Sequence, residues 1–205
     1  SKQLSGIVNG IDYNVYNPKT DKNIAVNYSV EDVIKAKAAN KTALQKELGL
    51  EENPDAFMLG IVSRLTDQKG LDLVECVLDQ ICAEDVQLVV LGTGEGKYQD
   101  MFTYYSRKYP ERVSANIFYS EALSHRIYAS CDAFLMPSLF EPCGLSQLMS
   151  LRYGTLPIVR ETGGLRDTVT PYNEVDGTGT GFSFTNYNAH EMLAIIRYAK
   201  KTYFN

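Results

Sequence analysis

The stretch Ser138-Leu139-Phe140-Glu141-Pro142-Cys143-Gly144-Leu145-Ser146-Gln147 sets one carboxylate, a proline, a thiol and a glycine between an apolar run and a helical pattern. Pro142 biases Glu141 towards extended geometry and itself suits a helix start, where its missing N–H costs nothing. The amides of Gly144, Leu145 and Ser146 then point out of that helix start without an internal partner. A carboxylate beside such amides suits a ligand carrying both hydroxyls and phosphate. The plain alternative is a strand-to-helix turn with Glu141 as a solvated cap.

Ser63-Arg64-Leu65-Thr66-Asp67-Gln68-Lys69-Gly70 holds two cations, Arg64 and Lys69, on a second polar loop. An arginine fork clamps phosphate oxygens and a lysine adds a point charge, so the pair suits a leaving diphosphate. An exposed charged loop is the alternative. Gly92-Thr93-Gly94-Glu95-Gly96 has the spacing GxGxG rather than the GxGxxG of a dinucleotide fingerprint and reads as a tight turn that grazes a ligand at most. Glu161-Thr162-Gly163-Gly164-Leu165 offers another glycine-rich helix start, either a plain turn or a set of amides for hydroxyl or phosphate oxygens. Tyr119 ends a strand pattern, where it either stacks on a base or packs. His125 and His190 lack ligand spacing and read as structural. No Ser–His–Asp set is visible, and Glu141 has no second acid on its loop for hydrolysis by paired carboxylates.

These loops punctuate a regular alternation. Phe57 to Val62, Val86 to Leu91, Val113 to Tyr119, Asp132 to Met136 and Thr155 to Val159 are apolar runs of strand length. Helical patterns fall between them: Leu71 to Ile81, Lys97 to Lys108, Glu121 to Ser130, Leu145 to Arg152 before Gly154, and a short one through Val169. Upstream, Ser29 with Asp32 resembles a capping box opening a helix through Val33, Ala36, Leu44 and Leu48, whose charged face is expected to be solvated. Gly6 to Asp12 reads as a short strand or loop broken at Asn9-Gly10. Continuous rather than alternating apolar strands imply a sheet covered on both faces. Strand–helix alternation implies an α/β, Rossmann-like doubly wound parallel sheet, with ligands beyond the carboxyl ends of the strands. Every polar loop named above lies at such an end.

The chain has 205 residues, 44% hydrophobic and 22% charged, with a net charge of −5. That is an ordinary globular composition, and the acidic balance with no long basic run argues against a nucleic-acid surface. No apolar run reaches the length of a membrane span. Cys76, Cys82, Cys131 and Cys143 show no zinc or CxxC spacing and read as buried or incidental thiols in a reducing compartment. The chain opens at Ser1 without methionine and stops at Asn205 inside an apparent helix, as a fragment would.

Ser63-Arg64-Leu65-Thr66-x-Gln68-Lys69-Gly70, Phe140-Glu141-Pro142-Cys143-Gly144-Leu145 and Thr162-Gly163-Gly164-Leu165-x-Asp167-Thr168-Val169 together resemble the bacterial glycogen synthase and plant starch synthase family. Ser124-His125-Arg126-Ile127 and Gly6 to Asp12 fit as well, so the likeness runs in register from about Ser5 to Tyr198. The resemblance implies the C-terminal half of a GT-B glycosyltransferase, with residues 1–28 as an interdomain linker and 29–205 as a nucleotide-sugar-binding domain. It also implies transfer of glucose from ADP-glucose to the non-reducing end of an α-1,4-glucan, with retention, without a metal or other cofactor, in the cytoplasm or, for a plant member, the plastid. By the same resemblance Glu141, Arg64 and Lys69 are the catalytic set. Tyr119 lies beside the base, and Cys143, Gly144, Leu145, Ser146, Thr162, Gly163 and Gly164 hold the rest of the donor. The partners implied are the donor, the glucan acceptor and a missing N-terminal domain, whose Lys-x-Gly-Gly-Leu loop is absent here.

Two departures accompany the resemblance: Ser120 stands where the family often has His, and Tyr16 where it has Trp. Sucrose- or trehalose-type GT-B transferases commonly carry a second glutamate eight residues after the first, where this chain has Met149. A non-catalytic nucleotide-binding module is the rival from another class.

Overall fold

The structure, a computed structural model, describes residues 9–205, so the expected strand or loop at Gly6 to Val8 lies outside the described residues. Among these residues the strands are β1 (Phe57–Val62), β2 (Val86–Leu91), β3 (Val113–Asn116), β4 (Ala133–Met136), β5 (Leu156–Arg160) and β6 (Phe182–Phe184). The helices are α1 (Val33–Leu48), α2 (Leu71–Cys82), α3 (Gly96–Lys108), α4 (Glu121–Ser130), α5 (Ser146–Arg152), α6 (Gly163–Thr168) and α7 (Ala189–Phe204). All strand pairs are parallel, and the order is β3-β2-β1-β4-β5-β6. This is the doubly wound, Rossmann-like arrangement expected from the alternation, with its switch point between β1 and β4.

Period-two alternation divides the strands between two cores. Phe57, Leu59 and Ile61 of β1, with Leu88 and Val90 of β2, face a core completed by Leu71, Val74 and Leu78 of α2, Phe102 of α3 and Ile196 of α7. Met58 and Val89 face the opposite core with Leu44 of α1, Leu123 and Ile127 of α4, and Tyr153. Both faces are therefore covered, which is why the strand sequences are apolar throughout.

Three expectations need correction. Helix α1 begins at Val33, and its Asp32 carboxylate accepts from the Ser29 amide (2.7 Å) while no side chain caps the helix itself. Only the back-bonding half of a capping box forms. The charged face of α1 is not solvated at Lys37 and Lys41, which are buried. Lys37 Nζ donates to Tyr128 O (3.3 Å), Ala129 O (3.0 Å) and Thr155 Oγ1 (2.6 Å), satisfying carbonyls at the end of α4. Lys41 pairs with the equally buried Asp132 at 2.6 Å. Strand β3 stops at Asn116, short of Tyr119, because its one neighbour β2 ends at Leu91, the residue paired with Asn116, whose side-chain amide turns back to Val90 O (3.1 Å) and Ser114 Oγ (3.0 Å). The chain beyond it is released into a loop.

Candidate donor-binding site

The site forms where the loops after β1 and β4 meet across the switch point. The β1 loop is anchored on its outer side by Asp67, which accepts from Lys97 Nζ (2.6 Å) and Tyr98 Oη (2.5 Å) of α3. Those two donors hold the Asp67 carboxyl below its ordinary range. A 3₁₀ turn over Asp67–Lys69 follows and ends at Gly70, whose φ of +73° is left-handed. A β-carbon there would sit 2.0 Å from Pro137 O, so glycine is required for the β1 loop to lie against the end of β4. The Leu139 amide donates to Gln68 O (2.9 Å) and closes the contact.

This contact delivers Lys69 Nζ to within 2.6 Å of Glu141 Oε2. Glu141 is buried, with Ser138 Oγ 3.5 Å from the same oxygen. Arg160 of β5 donates to the carbonyls of Ser138 (3.2 Å) and Leu139 (2.8 Å), fixing the loop from below. The fully buried Gln147 donates through Nε2 to Cys143 O (3.0 Å) and Gly144 O (2.9 Å), which locks the turn into α5. Neither Arg160 nor Gln147 was legible as a support, since each acts on backbone carbonyls that no side-chain pattern reveals.

Two cavities open on this edge. The smaller, about 100 Å³, is bounded by Ser63, Lys69, Ser138, Glu141, Gly144, Leu145 and Ser146, among others. The larger, about 310 Å³, includes Tyr16, Arg64, Gly92, Thr93, Tyr119 and Glu121 in its wall. Val62 and Ser63 line both, so the cavities are adjacent across the end of β1. The larger lies at the lower end of the ~300–1,000 Å³ range of ligand pockets. The two cations are thus divided between them: Lys69 faces the carboxylate side, and exposed Arg64 the aromatic side.

The remaining expected residues separate by position. Gly144, Leu145 and Ser146 line the smaller cavity at the start of α5, and Tyr119, 86% exposed, overhangs the larger. Cys143, Thr162, Gly163 and Gly164 line neither of the two. The Thr162 amide donates to Arg160 O (2.9 Å) and the Gly164 amide to Glu141 O (3.0 Å), so those two donors are already engaged. The glycines are there because a β-carbon at Gly163 would meet Glu141 O at 2.0 Å, and one at Gly164 would meet Cys143 O at 2.1 Å. The turn before α6 buttresses the Glu141 loop. Gly92 and Thr93 do graze the larger cavity, while Gly94 bridges to Leu65 and laces the loops after β1 and β2 together. Ser120, a departure from the resembled pattern, caps α4 by accepting from the Leu123 amide (3.1 Å).

His125 is structural, as expected: it is buried with Nδ1 2.6 Å from Asp21 Oδ2. Among the described residues no three His, Cys, Asp or Glu side chains gather as a metal site would require. None of the described helices is long and apolar enough to cross a membrane.

The family described as "Glycosyl transferases group 1" matches residues 41–203. The glycogen synthase of Lachnospira eligens is 72% identical over the whole chain, which covers 43% of that protein. That of Lachnoclostridium phytofermentans is 66% identical over 98% of the chain and 42% of its own length. Among solved structures, the catalytic domain of starch synthase IV from Arabidopsis thaliana, bound to ADP and acarbose, superposes with a TM-score of 0.88. It is 35% identical, over 97% of this chain and 41% of that one. The chain spans less than half the length of these relatives. Its sheet is the α/β, Rossmann-like half of a GT-B fold, and the chain belongs to the group 1 glycosyl transferases.

Proposed function

We propose that this chain is the donor-binding half of a glycogen or starch synthase that transfers glucose, with retention, from ADP-glucose to an α-1,4-glucan. The observation that carries this reading is the pair of adjacent cavities, one walled by aromatic residues and Arg64, the other by Lys69, Glu141 and the start of α5. A nucleoside diphosphate sugar has the same order of parts. The base suits the aromatic cavity, the diphosphate the shared wall at Val62 and Ser63 between the two cations, and the sugar the Glu141 side.

Arg64 and Lys69 then stabilise the charge that develops on the departing diphosphate. Glu141 orients the sugar hydroxyls and supports positive charge growing at the anomeric carbon. The glucan enters from the side of a partner domain that the relatives' greater length provides, and closure of the two halves completes the site. In this reading the reaction is cytoplasmic, as befits bacterial glycogen synthesis. The neutral rival, a nucleotide-binding module without turnover, shares the cavities but not the need for Glu141.

The test is glucosyl transfer from ADP-glucose to a maltooligosaccharide by the full-length protein, alongside ADP and UDP titrations. Transfer that falls in Arg64→Ala and Lys69→Ala, with ADP bound more tightly than UDP, supports the reading. Tight ADP binding without any transfer by the full-length wild type supports the rival.

A further inference from the structure

The wall of the larger cavity includes Tyr16, a residue from the segment that precedes the whole sheet. Its ring stacks on His125 with centroids 4.8 Å apart and planes 19° from parallel. His125 is held in turn by Asp21, and Asp21 is itself buried. The Asp21 carboxylate also accepts from Tyr153 Oη and from the Asn23 amide (2.8 Å). Arg152 Nε, at the end of α5, donates to Tyr16 O (2.9 Å) and fixes the backbone at the same point. One aromatic face of Tyr16 is thus covered by an anchored imidazole, while the residue lines the same cavity as Tyr119.

We propose that Tyr16 is a specificity-determining wall for the nucleotide base, with His125 and Asp21 as the residues that position it. The inference rests on the donor-site reading and deepens it. Tyr119 is so exposed that it holds a base only by closing onto it, whereas Tyr16 is half-buried and presented in a fixed orientation. A purine between the two would offer more stacking area than a pyrimidine.

Calorimetry on the full-length protein tests this with ADP, UDP and inorganic pyrophosphate as separate probes. Tyr16→Ala is expected to weaken ADP by about tenfold, the worth of one stacked base, and to leave pyrophosphate unchanged. Tyr16→Trp is expected to retain ADP binding and its preference over UDP. His125→Ala should follow Tyr16→Ala in part, while His125→Phe, which keeps a stacking face but loses the Asp21 bond, should bind ADP between His125→Ala and wild type. A Tyr16→Ala protein that loses Tm but binds ADP as wild type would overturn the inference and leave Tyr16 a packing residue. Lys69→Ala is the control, and it should weaken both ADP and pyrophosphate. Wild-type pyrophosphate binding by that variant would overturn the donor-site reading and this inference with it. Loss there, with wild-type ADP binding by Tyr16→Ala, overturns this inference alone.

Discussion

Lys69 Nζ and Glu141 Oε2, 2.6 Å apart, join the loops after β1 and β4 across the point where the strand order reverses. The pair is partly buried, so its members are bound more firmly than a surface pair and remain reachable by a ligand. On the proposed reading, a diphosphate beside Lys69 would offer the ammonium a second anionic partner and free Glu141 to meet the sugar. The ion pair would then hold both groups in place before a donor arrives, at the cost of competing with it.

Removing either cation should act on turnover more than on folding. Arg64 is exposed, and the loop that carries Lys69 is also fixed by Gly70 against Pro137 and by Asp67 to Lys97 and Tyr98, contacts that outlast loss of the lysine. Arg64→Ala and Lys69→Ala in the full-length protein are each expected to cut kcat by ~10²-fold or more, as for other lost electrostatic stabilisers. Steady-state kinetics with ADP-glucose measure this, and a near-normal kcat in both would take the two residues out of the mechanism.

The buried Lys41–Asp132 pair makes a prediction about stability. Asp132 Oδ2 also accepts from the Met58 amide (2.8 Å), so the carboxylate has a structural use beyond the ion pair. Lys41→Met would leave that buried carboxylate without its ion-pair partner, at an expected cost of about 3–5 kcal/mol. Urea unfolding should show a lower midpoint with the slope unchanged.

Asp21 supplies a pH dependence. Burial alone would raise its carboxyl above the ordinary 3.8, but bonds from Tyr153, the Asn23 amide and His125 outweigh burial and lower it. A depressed carboxyl binds fewer protons folded than unfolded in the acid range. Its contribution is therefore complete above pH 3.8 and lost as pH falls through the lower folded value. Asp21→Asn should be less stable at neutral pH and should lose less stability than wild type on acidification. Thermal melts from pH 7 to pH 3 compare the two, and parallel curves would remove Asp21 from the acid response.

What the sequence disclosed follows from the range of the interactions. The strands from Phe57 and Val86 were legible because both sheet faces are covered, leaving unbroken apolar runs bounded by polar loops. The Arg64–Lys69 and Glu141–Ser146 loops were legible because they sit at strand ends, where the chain alone decides their position. The three-residue β6 escaped notice, since Phe182-Ser183-Phe184 is too short for any periodicity to stand out. The burial of Lys37 and Lys41 was hidden, because long cationic side chains read as surface until their carbonyl and carboxylate partners are known. The Asp21–His125 bond spans 104 residues, and no local spacing records it. Thr162-Gly163-Gly164 reads from sequence equally as a plain turn or as ligand-facing amides, and the structure adds what spacing cannot show, the close approach of the Glu141 loop that requires glycine at both positions.

The central claim is that Glu141 serves the sugar and Lys69 the diphosphate, and substitution of Glu141 tests it most directly. Glu141→Gln keeps the shape and hydrogen-bonding capacity of the side chain and removes its charge. ADP lacks the sugar, and loss of the charge frees Lys69, so ADP affinity should be retained or improved. Glucosyl transfer by the same full-length variant should fall by ~10²-fold or more, chiefly in kcat, with Glu141→Ala lower still. ADP titration and transfer kinetics on one preparation give both numbers. Retained ADP binding with collapsed kcat is the predicted result, and wild-type transfer by Glu141→Ala would contradict the account, leaving Glu141 as the cap of a strand-to-helix turn.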